Sequence, residues 1–320
     1  MSDEPVAATF GGPGWRARVD CHSADVAAGR IWRKVGVTDE YSPLREVLIS
    51  APSAQFRQRG DPEASLMLSW PALEQLESEQ AGIQAYFEEQ GVHVHVHRPA
   101  EPPPLNYLFM RDLIITTPEG AIVCRPASPV RAPEARWVSR ALGEMGVPIL
   151  GMPTGDATLE GADALWLDSR TLLLGTGART NASGARWLRR LLEGLSVDVI
   201  EVPIPSGAQH LLGVVVPVGP DRVIVDAGRV TPELSDVISR RGMGTIRVDD
   251  GPENRVRRGM NVVVLGPNHV VMPASCPGLA TQFRREGLRV DELVVDAYVQ
   301  AAGALGCLTA VLRRETPESG

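Results

Sequence analysis

Lysine is almost missing from this chain: Lys34 is the only one, so 31 of the 32 basic residues are arginine. Against 39 acidic residues the formal net charge is −7, a balance that argues against nucleic acid or an anionic membrane as the main partner. Long apolar runs are missing too. No stretch approaches the roughly 18 residues of a membrane helix, and the opening, MSDEPVAATFGGPGWRARVD, has no apolar segment of signal-peptide length. Cysteine is scarce and scattered: Cys21, Cys124, Cys276 and Cys307 form no C-x-x-C pair, so neither a zinc site nor a disulfide framework is indicated. These absences leave a soluble, cytoplasmic protein as the expectation. At 320 residues with 43% hydrophobic content, the chain can bury a sizeable core.

What is present is a repeat. The segments DLIITTPEGAIVCRP (112–126), DALWLDSRTLLLGTG (163–177), HLLGVVVPVGPDRVIVDAG (210–228) and NVVVLGPNHVVMPAS (261–275) each join two β-rich runs through a turn of Gly, Pro, Asp or Asn, the signal of a hairpin. After each comes a helix pattern: APEARWVSRALGEMG, ASGARWLRRLLEGL, TPELSDVISRRGM and CPGLATQFRREG. All four carry apolar residues at three-to-four spacing, small or capping residues in front and glycine near the end. A further strand closes each unit, in VPIL, VDVIEVP, TIRVD and DELVVD. A fifth copy is divided between the two ends of the chain. LREVLISAP (44–52) supplies a strand, PALEQLESEQAGIQAYFEEQG (71–91) the helix and VHVHVHRP the last strand. Its missing hairpin partner is expected in the apolar run Leu308–Leu312, returning to close a ring. The predicted architecture is an α/β ring of five strand–strand–helix–strand blades with pseudo-fivefold symmetry. Residues 41–315 form its single domain, behind an extension of unassigned role at 1–40.

In such a ring, equivalent positions gather around one axis. The first strand of each unit is read as starting on a polar residue: Asp112, Asp163, His210, Asn261 and Cys307, at intervals of 51, 47, 51 and 46. A lone cysteine is more often an inert small hydrophobe than a nucleophile, but register with histidine and carboxylates changes that weighting. Cysteine attacks as thiolate, and His210 can serve as general acid and then as base. Carboxylates beside a thiol raise its pKa and do not activate it. They make sense if the substrate is a cation, since a planar guanidinium offers a fork of N–H donors to paired carboxylates.

The motifs resemble those of the guanidino-group-modifying penteins: arginine deiminases, dimethylarginine dimethylaminohydrolases and amidinotransferases, built as five-bladed ββαβ propellers. FMRD (109–112) is similar to the family's F-x-R-D element, which implies that Asp112 holds the guanidinium. LEGAD (159–163) is similar to E-G-G-D, which implies that Glu160 binds substrate and orients the histidine. RTN (179–181) resembles the segment whose arginine, here Arg179, meets a substrate carboxylate; QHLLG carries the catalytic His210, and GCLTAVL the nucleophile Cys307. Asp163, Asn261 and Leu212 complete the expected substrate-binding set. Leu212 marks a departure, because deiminases and amidinotransferases read H-x-D there, whereas dimethylargininases also lack that aspartate.

The resemblance therefore implies a cysteine-dependent hydrolase of an N-ω-substituted arginine, by way of a thiouronium intermediate, with no metal or organic cofactor. Arginine deiminase and amidinotransferase are the alternatives, and a pentein-fold binding module, of the kind a non-catalytic ribosome-binding factor uses, is the non-enzymatic one. The expected partner is a small cationic guanidino compound, with no nucleic acid or membrane; a homodimer is left open. Three features are set aside. His93, His95 and His97 alternate in HVHVH, so they share one strand face, read as solvated in preference to metal-binding. Cys276 precedes a helix but lies off the register, and Cys124 reads as core.

Overall fold

A computed structural model describes residues 6–57 and 60–315. Among these residues fifteen strands make five three-stranded sheets. The first unit holds β3 (Ile114–Thr117), β4 (Gly120–Val123) and β5 (Ile149–Gly151); the second β6 (Ala164–Asp168), β7 (Thr171–Thr176) and β8 (Asp198–Pro203). The third holds β9 (Val215–Gly219), β10 (Arg222–Asp226) and β11 (Gly244–Val248); the fourth β12 (Val263–Gly266), β13 (His269–Pro273) and β14 (Arg289–Leu293). In each of these four sheets a tight antiparallel hairpin is followed by a parallel strand. A parallel neighbour requires a crossover, and the repeated helix supplies it: Glu134–Glu144, Ala182–Glu193, Pro232–Arg240 and Pro277–Arg285. Two of these starts are capped as the sequence suggests, with Asn181 accepting from Gly184 N and Thr231 from Leu234 N.

The divided fifth unit is assembled from both ends of the chain. β1 (Leu44–Ser50) pairs antiparallel with β15 (Ala310–Arg314), Leu44 opposite Arg314 and Leu48 opposite Ala310, and parallel with β2 (His93–His97) after the helix Leu73–Glu89. The expected C-terminal strand therefore exists but begins two residues later than read. Leu308 belongs to a turn of helix, Leu305–Leu308, that also contains Cys307. The same correction applies elsewhere. Asp112 lies in the helical turn Met110–Leu113, Asp163 in Gly161–Asp163, and His210 directly before Leu211–Gly213. Only Asn261 enters its strand through a plain loop. The polar register is real, but its residues sit on short turns ahead of the strands. A side chain on such a turn is aimed off the sheet and is not committed to one of its faces.

Apolar strand residues fill four core clusters between sheets and helices. Hydrogen bonds tie neighbouring units: Thr116 Oγ1 donates to Val311 O at 2.6 Å, and Trp166 Nε1 donates to Thr116 O at 2.9 Å. The chain before residue 41 is in contact with the sheets, since Gly36 bridges Arg313 and Glu40 accepts from Arg111 and from Trp166 N. Among the described residues no helix is long and apolar enough to cross a membrane.

Candidate active site

Close backbone approach sets the site's geometry. A Cβ on Gly161 would lie 2.3 Å from Ile114 O and 2.4 Å from Arg111 O, so only glycine lets the Glu160–Asp163 turn pack on the turn that carries Asp112. Gly303 is pressed against the Phe109 ring and Gly306 against Val262 O. The small residues ahead of Cys307 thus bring it up to the first and fourth units.

His210 is the centre of a buried charge cluster. Its Nε2 is bonded to Glu160 Oε2 at 2.6 Å, and its Nδ1 lies 3.8 Å from Asp112 Oδ1. Burial alone would lower the imidazole, but Asp112, Asp163 and Glu160 together raise it to about 9. Glu160 shows the reciprocal effect. Burial pushes it up, yet the His210 bond, with Arg131 and Arg179 behind it, holds it at about 2. Cys307 is half-buried. Burial and then the Asp112 charge push its thiol up, while bonds from Ala304 and Asn261 and the Arg258 cation pull the other way. The expectation that carboxylates at this end of the fold oppose thiolate formation is met.

A cavity of about 220 Å³ opens onto these groups, lined among others by His210, Leu212, Arg229, Arg258, Asn261 and Cys307. Six of the eight sequence-predicted residues thus fall into one of two sets, with His210 in both: Cys307, His210, Asn261 and Leu212 on the cavity wall, and Glu160 and Asp112 packed behind His210. Asp112 Oδ2 accepts from Arg131, whereas its Oδ1 is buried with no hydrogen-bond partner among the described residues. The remaining two are differently employed. Asp163 is fully buried, with Oδ2 accepting from Thr180 Oγ1 at 2.7 Å and Oδ1 from Leu211 N at 3.1 Å; burial raises it to about 6. Oδ2 thus braces the second unit internally, and Oδ1 ties it to the third. Arg179 Nη1 stands 3.5 Å from Glu160 Oε1.

The sequence reading missed Arg131. It is enclosed between Asp112, Glu134 and, at 3.9 Å, Glu160. Burial opposes its charge, but the three carboxylates hold it protonated, and burial lifts Glu134 to about 7 in spite of it. A signal for it existed in the repeat: Arg131 and Arg229 each follow a register residue, Asp112 and His210, by 19 positions.

Among the described residues Asp112, Glu160 and His210 form the one trio whose ligand atoms lie within 4.8 Å of one another. Arg131 on Asp112 and the imidazole on Glu160 already occupy two of those oxygens, so the trio is built as an ion-pair network and is poorly suited to a metal cation. The features set aside in the sequence stay outside the site. His95 bonds to Glu46 at 2.6 Å and His97 Nδ1 to Tyr107 Oη at 2.7 Å; only His93 of the three is exposed, which corrects the reading of a solvated face. Burial raises Cys276 to about 11 and Cys124 well above its ordinary value.

Known proteins carry the same pattern. The family model described as arginine deiminase matches residues 72–228. The N(G),N(G)-dimethylarginine dimethylaminohydrolase of Streptomyces coelicolor is 30% identical over 233 residues, covering 72% of this chain and 84% of that protein. Among solved structures, the Pseudomonas aeruginosa dimethylarginine dimethylaminohydrolase complexed with citrulline superposes with a TM-score of 0.69 at 18% identity, over 85% of this chain and 100% of that one. The amidinotransferase SxtG from Microseira wollei gives 0.72 at 16% identity, over 89% and 99%. An α/β fold of five three-stranded sheets and sequence identity over most of a dimethylarginine dimethylaminohydrolase lead to one conclusion: the chain belongs to the guanidino-group-modifying pentein superfamily, as a hydrolase of C–N bonds in linear amidines.

Proposed function

We propose that the protein hydrolyses an N-ω-substituted arginine to a citrulline-type product and an amine, with Cys307 as nucleophile, acting as a soluble cytoplasmic enzyme. In this reading the five sheets are the blades of a closed propeller about a pseudo-fivefold axis. Residues 41–315 are its catalytic domain and 1–40 an extension to it. The observation that carries the proposal is the unpartnered, buried Oδ1 of Asp112, 3.8 Å from His210 Nδ1, behind a cavity that Cys307 also lines. A buried acceptor without a donor costs about 1–3 kcal/mol, and a guanidinium N–H would supply one.

The chemistry follows from the charges. Asp112, with Glu160, holds the guanidinium flat over Cys307. An incoming cation offsets the effect of Asp112 on the thiol, so substrate binding favours the thiolate. The thiolate adds to the central carbon, a C–N bond breaks, and imidazolium His210, kept protonated to about pH 9, gives its proton to the departing amine. Nε2 is engaged by Glu160, which leaves Nδ1 to deliver it. The neutral ring then takes a proton from water, which attacks the thiouronium carbon and releases the ureido product and Cys307.

Leu212 favours a substituted nitrogen over a free one. It lines the cavity with His210 and Cys307, at the position where a deiminase pattern has a carboxylate, and offers contact to a methyl group but no acceptor to an N–H. The test is incubation with arginine, methylated and hydroxylated arginines and simple guanidines, followed by mass detection of ureido products. Turnover of methylated arginine that Cys307→Ser abolishes is the expected result; release of product by Cys307→Ser overturns the proposal.

A further inference from the structure

Asn261 makes two contacts with Cys307 that the reaction above does not use. Its Nδ2 donates to Cys307 Sγ at 3.0 Å, while its Oδ1 accepts from Cys307 N at 3.1 Å. Its own carbonyl accepts from Gly306 N at 3.3 Å. The pairing fixes which way the amide faces. A backbone N–H can only donate, so Oδ1 must lie toward it and the NH₂ must lie toward sulfur. One side chain from the fourth unit therefore grips the thiol and the peptide that carries it, and presents a donor to the sulfur. Such a bond strengthens when the acceptor becomes charged, so it favours the thiolate.

The loop that bears Asn261 adds to this. Asn261 N donates to Arg258 O at 2.8 Å, closing a tight turn in which Arg258 has a φ of 60°. That left-handed conformation costs a non-glycine residue energy and turns the Arg258 side chain onto the cavity wall that Cys307 shares. Its guanidinium has no hydrogen-bond or ion-pair partner among the described residues, and its Nε is buried. The charged groups facing the thiol are thus Asp112 from the first unit, His210 across the cavity, Arg229 from the third unit and Arg258 from the fourth. Of these Asp112 opposes the thiolate and Arg258 supports it.

We infer that Asn261 is a positioning residue for the nucleophile: it fixes Cys307 Sγ at the cavity wall and stabilises its thiolate, assisted by the cation of Arg258 on the same turn. Its catalytic consequence rests on the proposed role of Cys307. The test is the rate of alkylation of Cys307 by iodoacetamide from pH 6 to 10, read by intact mass, in the full chain and in Asn261→Ala and Asn261→Asp. Removing the donor should raise the midpoint by about 1 pH unit, which corresponds to one lost hydrogen bond to a charged group. kcat should fall about tenfold at pH 8, with KM unchanged.

Asn261→Asp keeps the acceptor for Cys307 N and so guards against simple unfolding; it should move the midpoint further up, since a carboxylate replaces the donor. An unchanged midpoint in both variants, or a rise in KM alone, overturns the inference. Alkylation needs no substrate, so the outcomes separate. A shifted midpoint in a protein whose Cys307→Ser variant still turns over would sink the proposed reaction and leave the Asn261 contact standing.

Discussion

Replacing Glu160 by glutamine removes one charge from the site and little else. Glutamine can still accept from His210 Nε2 through its amide oxygen, so the 2.6 Å bond is expected to survive. In the native protein the imidazole is raised from 6.5 to about 9, a preference for the protonated ring of about 3 kcal/mol. Opposite charges in direct contact account for shifts of roughly 1–3 pH units, so His210 in Glu160→Gln should titrate between about 6 and 8. The consequence for stability has a definite sign. A histidine with a raised folded value contributes stability that is fully present below 6.5 and is lost as pH rises through about 9. Glu160, held at about 2, contributes stability that is present above 4.5 and lost as pH falls through about 2. Both statements describe one ion pair and are counted once. Denaturant unfolding from pH 6 to 10 should show the native protein losing up to about 3 kcal/mol over that range, and the variant losing half of that or less, at lower pH. Histidine NMR titration, with His210 assigned by His210→Gln, gives the midpoint directly. In the proposed reaction the leaving amine takes its proton from His210, so kcat at pH 8.5 should fall about tenfold. The same His210 midpoint in both proteins would refute the charge network as the cause.

The other expectations are simpler to state. Cys307→Ser should abolish turnover and adduct formation, whereas Cys276→Ala should keep most activity, because burial holds Cys276 at about 11; a covalent adduct on Cys276 by intact mass would reverse the assignment. Gly161→Ala should destabilise the fold by about 3 kcal/mol, since the added methyl meets two backbone carbonyls within 2.4 Å that cannot rotate away; denaturant melts measure it, and a loss under about 1 kcal/mol would mean the turn relaxes. Leu212→Asp should narrow or reverse the preference for a substituted guanidine over arginine in kcat/KM, measured on both substrates with a pH profile for each protein. A native preference for arginine would mean that Leu212 does not meet the guanidinium.

The five-sheet plan was legible because its unit is short and repeated. Each copy shows a hairpin turn, a capped amphipathic helix and a third apolar run, and four imperfect copies reinforce one another. The divided copy followed by arithmetic, since LREVLISAP lacked a hairpin partner and the run after Cys307 lacked a sheet. Strand starts were less legible. An apolar run gives no sign that its first residues are wound into a turn. Asp112, Asp163 and Cys307 therefore read as the heads of strands, although Met110–Leu113, Gly161–Asp163 and Leu305–Leu308 are helical.

Register also explains which parts of the site sequence could and could not reveal. Residues at equivalent places in the repeat meet, so Asp112, His210, Asn261 and Cys307 were found together as candidates. Register does not say what each side chain touches once there. Asp163 is in register and yet spends both oxygens on Thr180 and Leu211, while Glu160, three residues earlier, reaches His210. Asn261 is in register and yet holds the cysteine. Arg131 is the sharper case. Its place, 19 residues after Asp112, repeats the spacing of Arg229 from His210, but an arginine at the head of a helix reads as a solvated charge. It is buried instead because Asp112, Glu134 and Glu160 converge on it, and unpaired they could not all be ionised in so dry a place. The acidic groups that recognise a cation must be kept apart by a cation of the protein's own. Arg131 takes Oδ2 of Asp112 and leaves Oδ1 bare, so the same contact that stabilises the buried cluster also sets apart the one acceptor of Asp112 that meets the guanidinium in the proposed reaction.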